Sequence, residues 1–256
     1  MAASADSSSP AAVAVPADND KVNPIDFQGS VHTDDKLPSK ELIKSIADLP
    51  VLDREGKTHP FKSLYEGFAG RTVVIFIRHF FCGNCQEYLR SLSEAIPVEL
   101  LAKAETPTRI AVIGCGDPAL IDFYVKAASC AYPVYADPTR RLYDELGMVS
   151  TLALGPPPKY MAHTSIWASS MRSIVDVFKH MPRGLALKSG DKRQVGGEFL
   201  FENPGNGADV SVSWCHRMKN TRDHTETDDM QKLLGLDKFA ADVGAKEVTA
   251  ASTKAA

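Results

Sequence analysis

Residues 71–95 read RTVVIFIRHFFCGNCQEYLRSLSEA. The fold is decided by where this stretch stops being strand and starts being helix. Val73 to Ile77 form an unbroken β-branched and aromatic run with no polar alternation, the pattern of a strand buried on both faces of a sheet. Downstream, Tyr88, Leu89, Leu92 and Ile96 recur at helical intervals with Glu87, Arg90 and Glu94 between them, which reads as an amphipathic helix. Cys82 and Cys85 lie between the two, so the pair falls where strand turns into helix.

The alternation continues on the C-terminal side. TRIAVIGCG (108–116) reads as strand, DPALIDFYVKAAS (117–129) as helix, and YPVYADPTRRLYDELGM (132–148) as a short extended piece before another helix. Asp117-Pro118 and Asp137-Pro138 each read as an N-cap followed by a first-turn proline. Such alternation argues for α/β layers with parallel neighbours. On the N-terminal side, Ser39 caps a short helix carrying Leu42, Ile43, Ile46 and Leu49, and PVLDREGKTHPF (50–61) reads as a β-hairpin around Asp-Arg-Glu-Gly. GPPPKY (155–160) breaks regular structure, and a helix is expected over 165–180 from the stripe of Ile166, Trp167, Ile174, Val177 and Phe178. LKSGDKRQ (187–194) is a polar linker, GEFLFENPGNGADVSVSW (197–214) a second hairpin, and 226–236 a last helix.

The chain has 256 residues, 44% of them hydrophobic and 24% charged, with a net charge of -3. That is the composition of a globular protein with no polyelectrolyte partner, so nucleic acid is not expected as a ligand. The longest aliphatic and aromatic run falls far short of the about 18 residues a membrane span needs. Residues 1–38, rich in Ala, Ser, Pro and Asp, are expected to be a disordered tail and 237–256 a flexible one. Between them, 39–236 reads as one domain with an insert at about 148–195. Five cysteines, an odd number, favour a reducing compartment, and the cytoplasm is the expectation.

A thiolate is the nucleophile, and a free cysteine with a pKa of about 8.5 is mostly protonated at neutral pH. At a helix entrance the unpaired backbone N–H groups and the dipole favour a negative sulfur. Cys82 stands there, and Cys85, one turn further in, is placed to attack a mixed disulfide or sulfenic acid on its neighbour. Arg78 and His79 add possible positive charge, while Phe80 and Phe81 read as wall. Two other readings of the pair stay open. Zinc would need two further ligands, for which only Cys215-His216 offers itself, and two inert buried thiols are the plain alternative.

IFIRHFFCGNCQEYLRSL (75–92), IAVIGCGDP (110–118), YPVYADPTRRLYDELGM, GGEFLF (196–201) and CHRMKNTRDH (215–224), in this order, resemble the peroxiredoxin-like AhpC/TSA proteins of thioredoxin fold. The resemblance implies a central mixed sheet flanked by helices, here with an N-terminal hairpin and a helical insert. It implies reduction of peroxides or disulfides by the CxxC pair, Cys82 attacking and Cys85 resolving. No bound cofactor or metal is implied, but an external thiol such as thioredoxin or glutathione is. The usual Pro-x-x-x-Thr/Ser-x-x-Cys pattern is absent: counting back from Cys82 gives His79 and Ile75, and from Cys85, Cys82 and Arg78. Gly196 stands where a peroxide-binding arginine is expected, so polarising hydrogen bonds fall to Arg78, His79 or backbone N–H groups. Gly196 and Gly197 read either as a close backbone approach to the sulfurs or as the bend entering an edge strand. His216, Asp223 and His224 read as solvated polarity or, less simply, as a base. A non-catalytic redox-sensing or protein-binding module, or a fold recruited to another small-molecule reaction, are the functional alternatives.

Overall fold

The strand Gly70–Phe76 takes an inner place in the sheet because its second half cannot face water: Val73 through Phe76, and Ile77 just beyond, have no exposed surface. Fully burying each such side chain contributes roughly 1.5–3 kcal/mol, which makes this strand the natural organiser of the core. The computed structural model describes residues 22–23, 32–161 and 184–239. In chain order it has β1 (Val22–Asn23), α1 (Lys40–Ile46), β2 (Pro50–Leu52), β3 (Thr58–Pro60), β4 (Gly70–Phe76), α2 (Gly83–Ala95), α3 (Val98–Leu101) and β5 (Thr108–Gly114). There follow α4 (Ile121–Ala128), β6 (Val134–Ala136), α5 (Arg141–Glu145), β7 (Ser150–Thr151), β8 (Gly197–Asn203), β9 (Ser211–Arg217) and α6 (Thr227–Leu233).

Seven strands form one mixed sheet in the order β3-β2-β6-β5-β4-β8-β9. β4, β5 and β6 run parallel, while β8 and β9 form an antiparallel hairpin against β4 and the β2–β3 hairpin closes the other edge. Side chains from one face of the sheet pack with α2, α4 and α6 in one core; those of the other face pack with α1 and α5 in a second. A parallel β4-α2-β5 unit joined to an antiparallel hairpin, with helices on both faces, is the thioredoxin-like fold the sequence resembles. Ser39 caps α1 as expected, its Oγ accepting from the Leu42 N–H at 3.2 Å. Among the described residues no helix is long and apolar enough to cross a membrane.

Two expectations need correction. Asp137 does not cap α5: the helix begins beyond Arg140, a left-handed residue (φ 61), and the Asp137 carboxylate reaches forward to accept from the Leu142 N–H at 2.9 Å. β8 is not an edge strand, since β9 takes the edge beside it. Of the residues expected in the N-terminal tail, Asp35 accepts through its carboxylate from the Arg217 N–H at 2.7 Å, and the Arg217 guanidinium binds the carbonyls of Asp34 and Lys36. Residues 237–239 likewise form a turn of 3-10 helix after α6. Within the insert expected at 148–195, β7 pairs in parallel with β1, and Ser150 bridges to Gln194, so its two ends meet. The helix expected over 165–180 lies outside the described residues.

Candidate active site

β4 delivers the chain to the site and α2 begins there. Cys82 is the N-cap of α2, with extended backbone (φ -78, ψ 106), and its carbonyl accepts from the Gln86 N–H at 3.0 Å. The turn before it is fixed by the Cys82 N–H on the His79 carbonyl at 3.0 Å and by the Gln86 amide on the Phe80 carbonyl at 3.2 Å. No side-chain oxygen caps the helix, so the Cys82 sulfur stands by its unpaired N–H groups.

Arg78 supplies the cation. Its Nη1 donates to the Cys82 sulfur at 3.2 Å and its Nη2 to the Lys192 carbonyl at 2.5 Å, while its own carbonyl accepts from the Cys115 thiol at 2.8 Å. These contacts hold the guanidinium, and among the described residues no carboxylate pairs with it. The Cys82 thiol is held well below the ordinary cysteine range, first by a hydrogen bond from the Cys85 thiol and then by the Arg78 charge, which together outweigh the cost of burial. Cys85 is pushed the other way, by burial first and then by the negative charge of Cys82. His79 is buried with no hydrogen-bond partner on Nδ1, and burial pushes it down to about 4. It is therefore neutral at neutral pH, and the Arg78 guanidinium is the cation that touches the Cys82 sulfur.

Cys85 lies on the inner side of α2 with no exposed surface. Its sulfur accepts from the Arg78 backbone N–H at 3.5 Å and lies 3.3 Å from Nε2 of His224. Nδ1 of His224 is 2.5 Å from the Glu198 carboxylate, which also accepts from the Thr225 hydroxyl at 3.2 Å. The imidazole stacks on the Tyr88 ring at 4.2 Å, nearly parallel. The His224 and Glu198 side chains are 0% exposed. His224 is thus core, not the solvated polarity its charged neighbours suggested. Glu198, absent from the sequence-based candidates, had one signal: a lone carboxylate in a run otherwise reading Gly-Phe-Leu-Phe.

The remaining candidates stand further back. A Cβ on Gly196 would lie 1.8 Å from the Phe76 carbonyl oxygen, and one on Gly197 2.6 Å from that of His216. The two glycines therefore let β8 close on β4 and β9, and the close approach they permit is to backbone rather than to the sulfurs. His216 sits opposite Glu198 on β9 and bonds to the Asp223 carbonyl at 2.7 Å. Burial works against its charge, but Glu198, Asp223 and Asp35 outweigh it and raise its pKa. Cys115, pushed up to about 12, and Cys130, pushed up to about 11, are protonated by burial and donate to backbone carbonyls. All five cysteines are free thiols, and among the described residues no group of three or more His, Cys, Asp and Glu is placed to hold a metal ion.

Residues 91–220, about half of the chain, match the family model of the AhpC/TSA antioxidant enzymes. The chain belongs to the AhpC/TSA family. It is 30% identical to peroxiredoxin-like 2C of Takifugu rubripes over 196 residues, covering 76% of this chain and 82% of that one. The Homo sapiens protein of the same name is also 30% identical, over 200 residues, with 76% and 81% covered. Among solved structures it is similar to peroxidoxin BcpB of Mycobacterium tuberculosis, at TM-score 0.46 and 11% identity, covering 82% of this chain and 97% of that one. The AhpC/TSA match contains Glu198 and His216 but begins after the cysteine pair. The case for the pair thus stands on this chain's own geometry.

Proposed function

We propose that the chain is a thiol-dependent oxidoreductase that reduces hydroperoxides or disulfides, with Cys82 attacking and Cys85 resolving. One observation carries this reading: the two sulfurs occupy opposite environments, Cys82 facing the Arg78 guanidinium at 3.2 Å at a helix entrance and Cys85 buried beyond it. A charge-assisted hydrogen bond and the helix N-terminus both favour the thiolate at the first position. The Cys82 thiolate attacks one peroxide oxygen, the O–O bond breaks, and the leaving oxygen takes a proton, leaving a sulfenic acid on Cys82. Arg78 Nε and His79 Nδ1, buried without partners, are the polar atoms free to meet that oxygen. Cys85 then attacks the Cys82 sulfur, water leaves, and a disulfide forms. An external dithiol, or two monothiols such as glutathione, returns the two electrons. With a disulfide substrate the same thiolate forms a mixed disulfide and Cys85 releases it.

Hydrogen peroxide, an alkyl hydroperoxide and a model disulfide, each offered with thioredoxin or glutathione as reductant, test this directly. Cys82→Ser should abolish turnover, whereas Cys85→Ser should allow one oxidation, trapped as a sulfenic acid or mixed disulfide on Cys82, and no cycling. Unchanged turnover in both variants would remove the reading. The near-complete enclosure of both cysteines, 4% and 0% exposed, favours as a second reading a redox-sensing module. Slow oxidation together with a stable partner recovered from cells would support it.

A further inference from the structure

Cys85, His224 and Glu198 form a buried file that attack by Cys82 does not require. Nδ1 of His224 lies 2.5 Å from the Glu198 carboxylate and Nε2 lies 3.3 Å from the Cys85 sulfur, so the tautomer with its proton on Nδ1 bonds Glu198 and turns the Nε2 lone pair to the thiol. We propose that His224 is the general base for Cys85, taking its proton as Cys85 attacks the oxidised Cys82, with Glu198 as the positioning residue that fixes the imidazole and stabilises its charged form. This rests on the redox reading of the pair given above.

The order of events follows from who accepts the Cys85 proton. While Cys82 is a thiolate, the Cys85 thiol donates to it and stays protonated. Once Cys82 is a sulfenic acid or a mixed disulfide, that negative acceptor is gone. Nε2 of His224 is then the base in reach. The Cys85 S–H proton passes to Nε2, the Cys85 sulfur bonds to the Cys82 sulfur, and the S–O or S–S bond to the leaving group breaks; the imidazolium returns its proton to that group. The resolving thiol is thereby activated after its target is oxidised and not before. The groups around His224 fit this role. Cys85 and the stacked Tyr88 come from α2, with Tyr160 packed 5.2 Å behind Tyr88. Glu198 comes from β8, His216 lies opposite Glu198 on β9, and Thr225 and Asp223 come from the segment carrying His224 itself.

Dithiodipyridine applied to the full reduced chain separates the two attacks. The first pyridinethione released reports Cys82, the second reports Cys85 attacking the mixed disulfide, and peptide mass spectrometry assigns the sulfurs. The readout is the rate of the second release relative to the first, followed over pH. His224→Gln and Glu198→Gln should each lower that ratio at neutral pH by at least about tenfold, and the deficit should close in alkali, where hydroxide removes the proton. Glu198→Asp should recover part of the rate. If both variants keep the wild-type ratio and pH profile, the relay is wrong. Should His224→Gln fail to fold, the near-isosteric Glu198→Gln and the wild-type profile decide: a wild-type ionisation that the variant retains unchanged overturns the proposal. A chain that turns over neither hydroperoxides nor disulfides catalytically with thioredoxin or glutathione, yet whose second release depends on both residues, would keep the relay and lose the oxidoreductase reading.

Discussion

Arg78 is the residue on which the chemistry of Cys82 turns. It is 6% exposed, its Nη1 faces sulfur, and its Nη2 is anchored on a backbone carbonyl. A hydrogen bond from a charged donor is worth about 1.5–3 kcal/mol, and each pKa unit changes the thiolate fraction about tenfold while the thiol remains mostly protonated. Arg78→Gln should therefore move the Cys82 titration up toward the ordinary thiol value, read by thiolate ultraviolet absorbance, and slow its oxidation at neutral pH by about tenfold or more. Arg78→Lys should keep part of the effect, since the charge survives but the fork spanning sulfur and carbonyl does not. An unshifted titration in Arg78→Gln would leave the helix entrance and the Cys85 thiol as the causes. The cysteines and Arg78 were legible in the sequence because they are consecutive with a strand exit. His224 was named only as the less simple of two readings and Glu198 not at all, because each joins the site through a contact 139 or 26 residues away in sequence. A glutamate in an alternating strand reads as facing water until a helix is known to cover that face.

The element that carries both thiols is also tied down by charge. In α2 the positions between the apolar residues read as a solvent face, yet Glu87 and Arg90 are 5% and 6% exposed and pair with each other. α2 is covered by α4 on one side and by α6 on another. Arg90 also donates to the Ala127 carbonyl at 2.6 Å, joining the site helix to the end of α4. Periodicity located this helix well but could not say how many neighbours would wrap it, which is why its polar residues were misplaced. The same limit explains β8: its hairpin was legible, its position between β4 and β9 was not, since register to a distant strand leaves no local mark. Removing one partner of a buried ion pair leaves a stranded charge and costs about 3–5 kcal/mol, whereas replacing both partners by apolar groups is often close to neutral. Arg90→Met should thus lower the unfolding free energy in urea by about 3 kcal/mol, and Glu87→Leu combined with Arg90→Met should recover most of it. A double variant as unstable as the single would mean that the Ala127 contact, not the pair, holds α2.

Across the whole molecule, reduced and oxidised chains differ in stability because folding and thiol ionisation share one thermodynamic cycle. Closing the short Cys82–Cys85 loop constrains the unfolded chain by only about 2 kcal/mol in the chain-entropy account. Against this, oxidation removes the anion that Arg78 and the helix entrance stabilise, and leaves a buried cation facing a neutral sulfur. The charge-assisted bond, at about 1.5–3 kcal/mol, together with the helix terminus, at about 0.3–1 kcal/mol, matches or exceeds the loop term. The reduced chain should therefore melt at least as high as the oxidised one near neutral pH. Cys82 is lowered in the fold, so its contribution is fully present above the unfolded thiol value of 9.0 and is lost as pH falls through the folded value. Cys85 is raised, so it costs nothing while both states keep it protonated and turns against the reduced fold once pH passes 9.0. The melting difference between the two forms should accordingly grow from acid pH, crest at about the ordinary thiol value, and decline beyond it. Thermal unfolding of both forms across that range checks the shape as well as the sign. An oxidised chain that melts higher at every pH would mean that the thiolate is not stabilised by the fold, and the electrostatic case for Cys82 as the attacking sulfur would go with it.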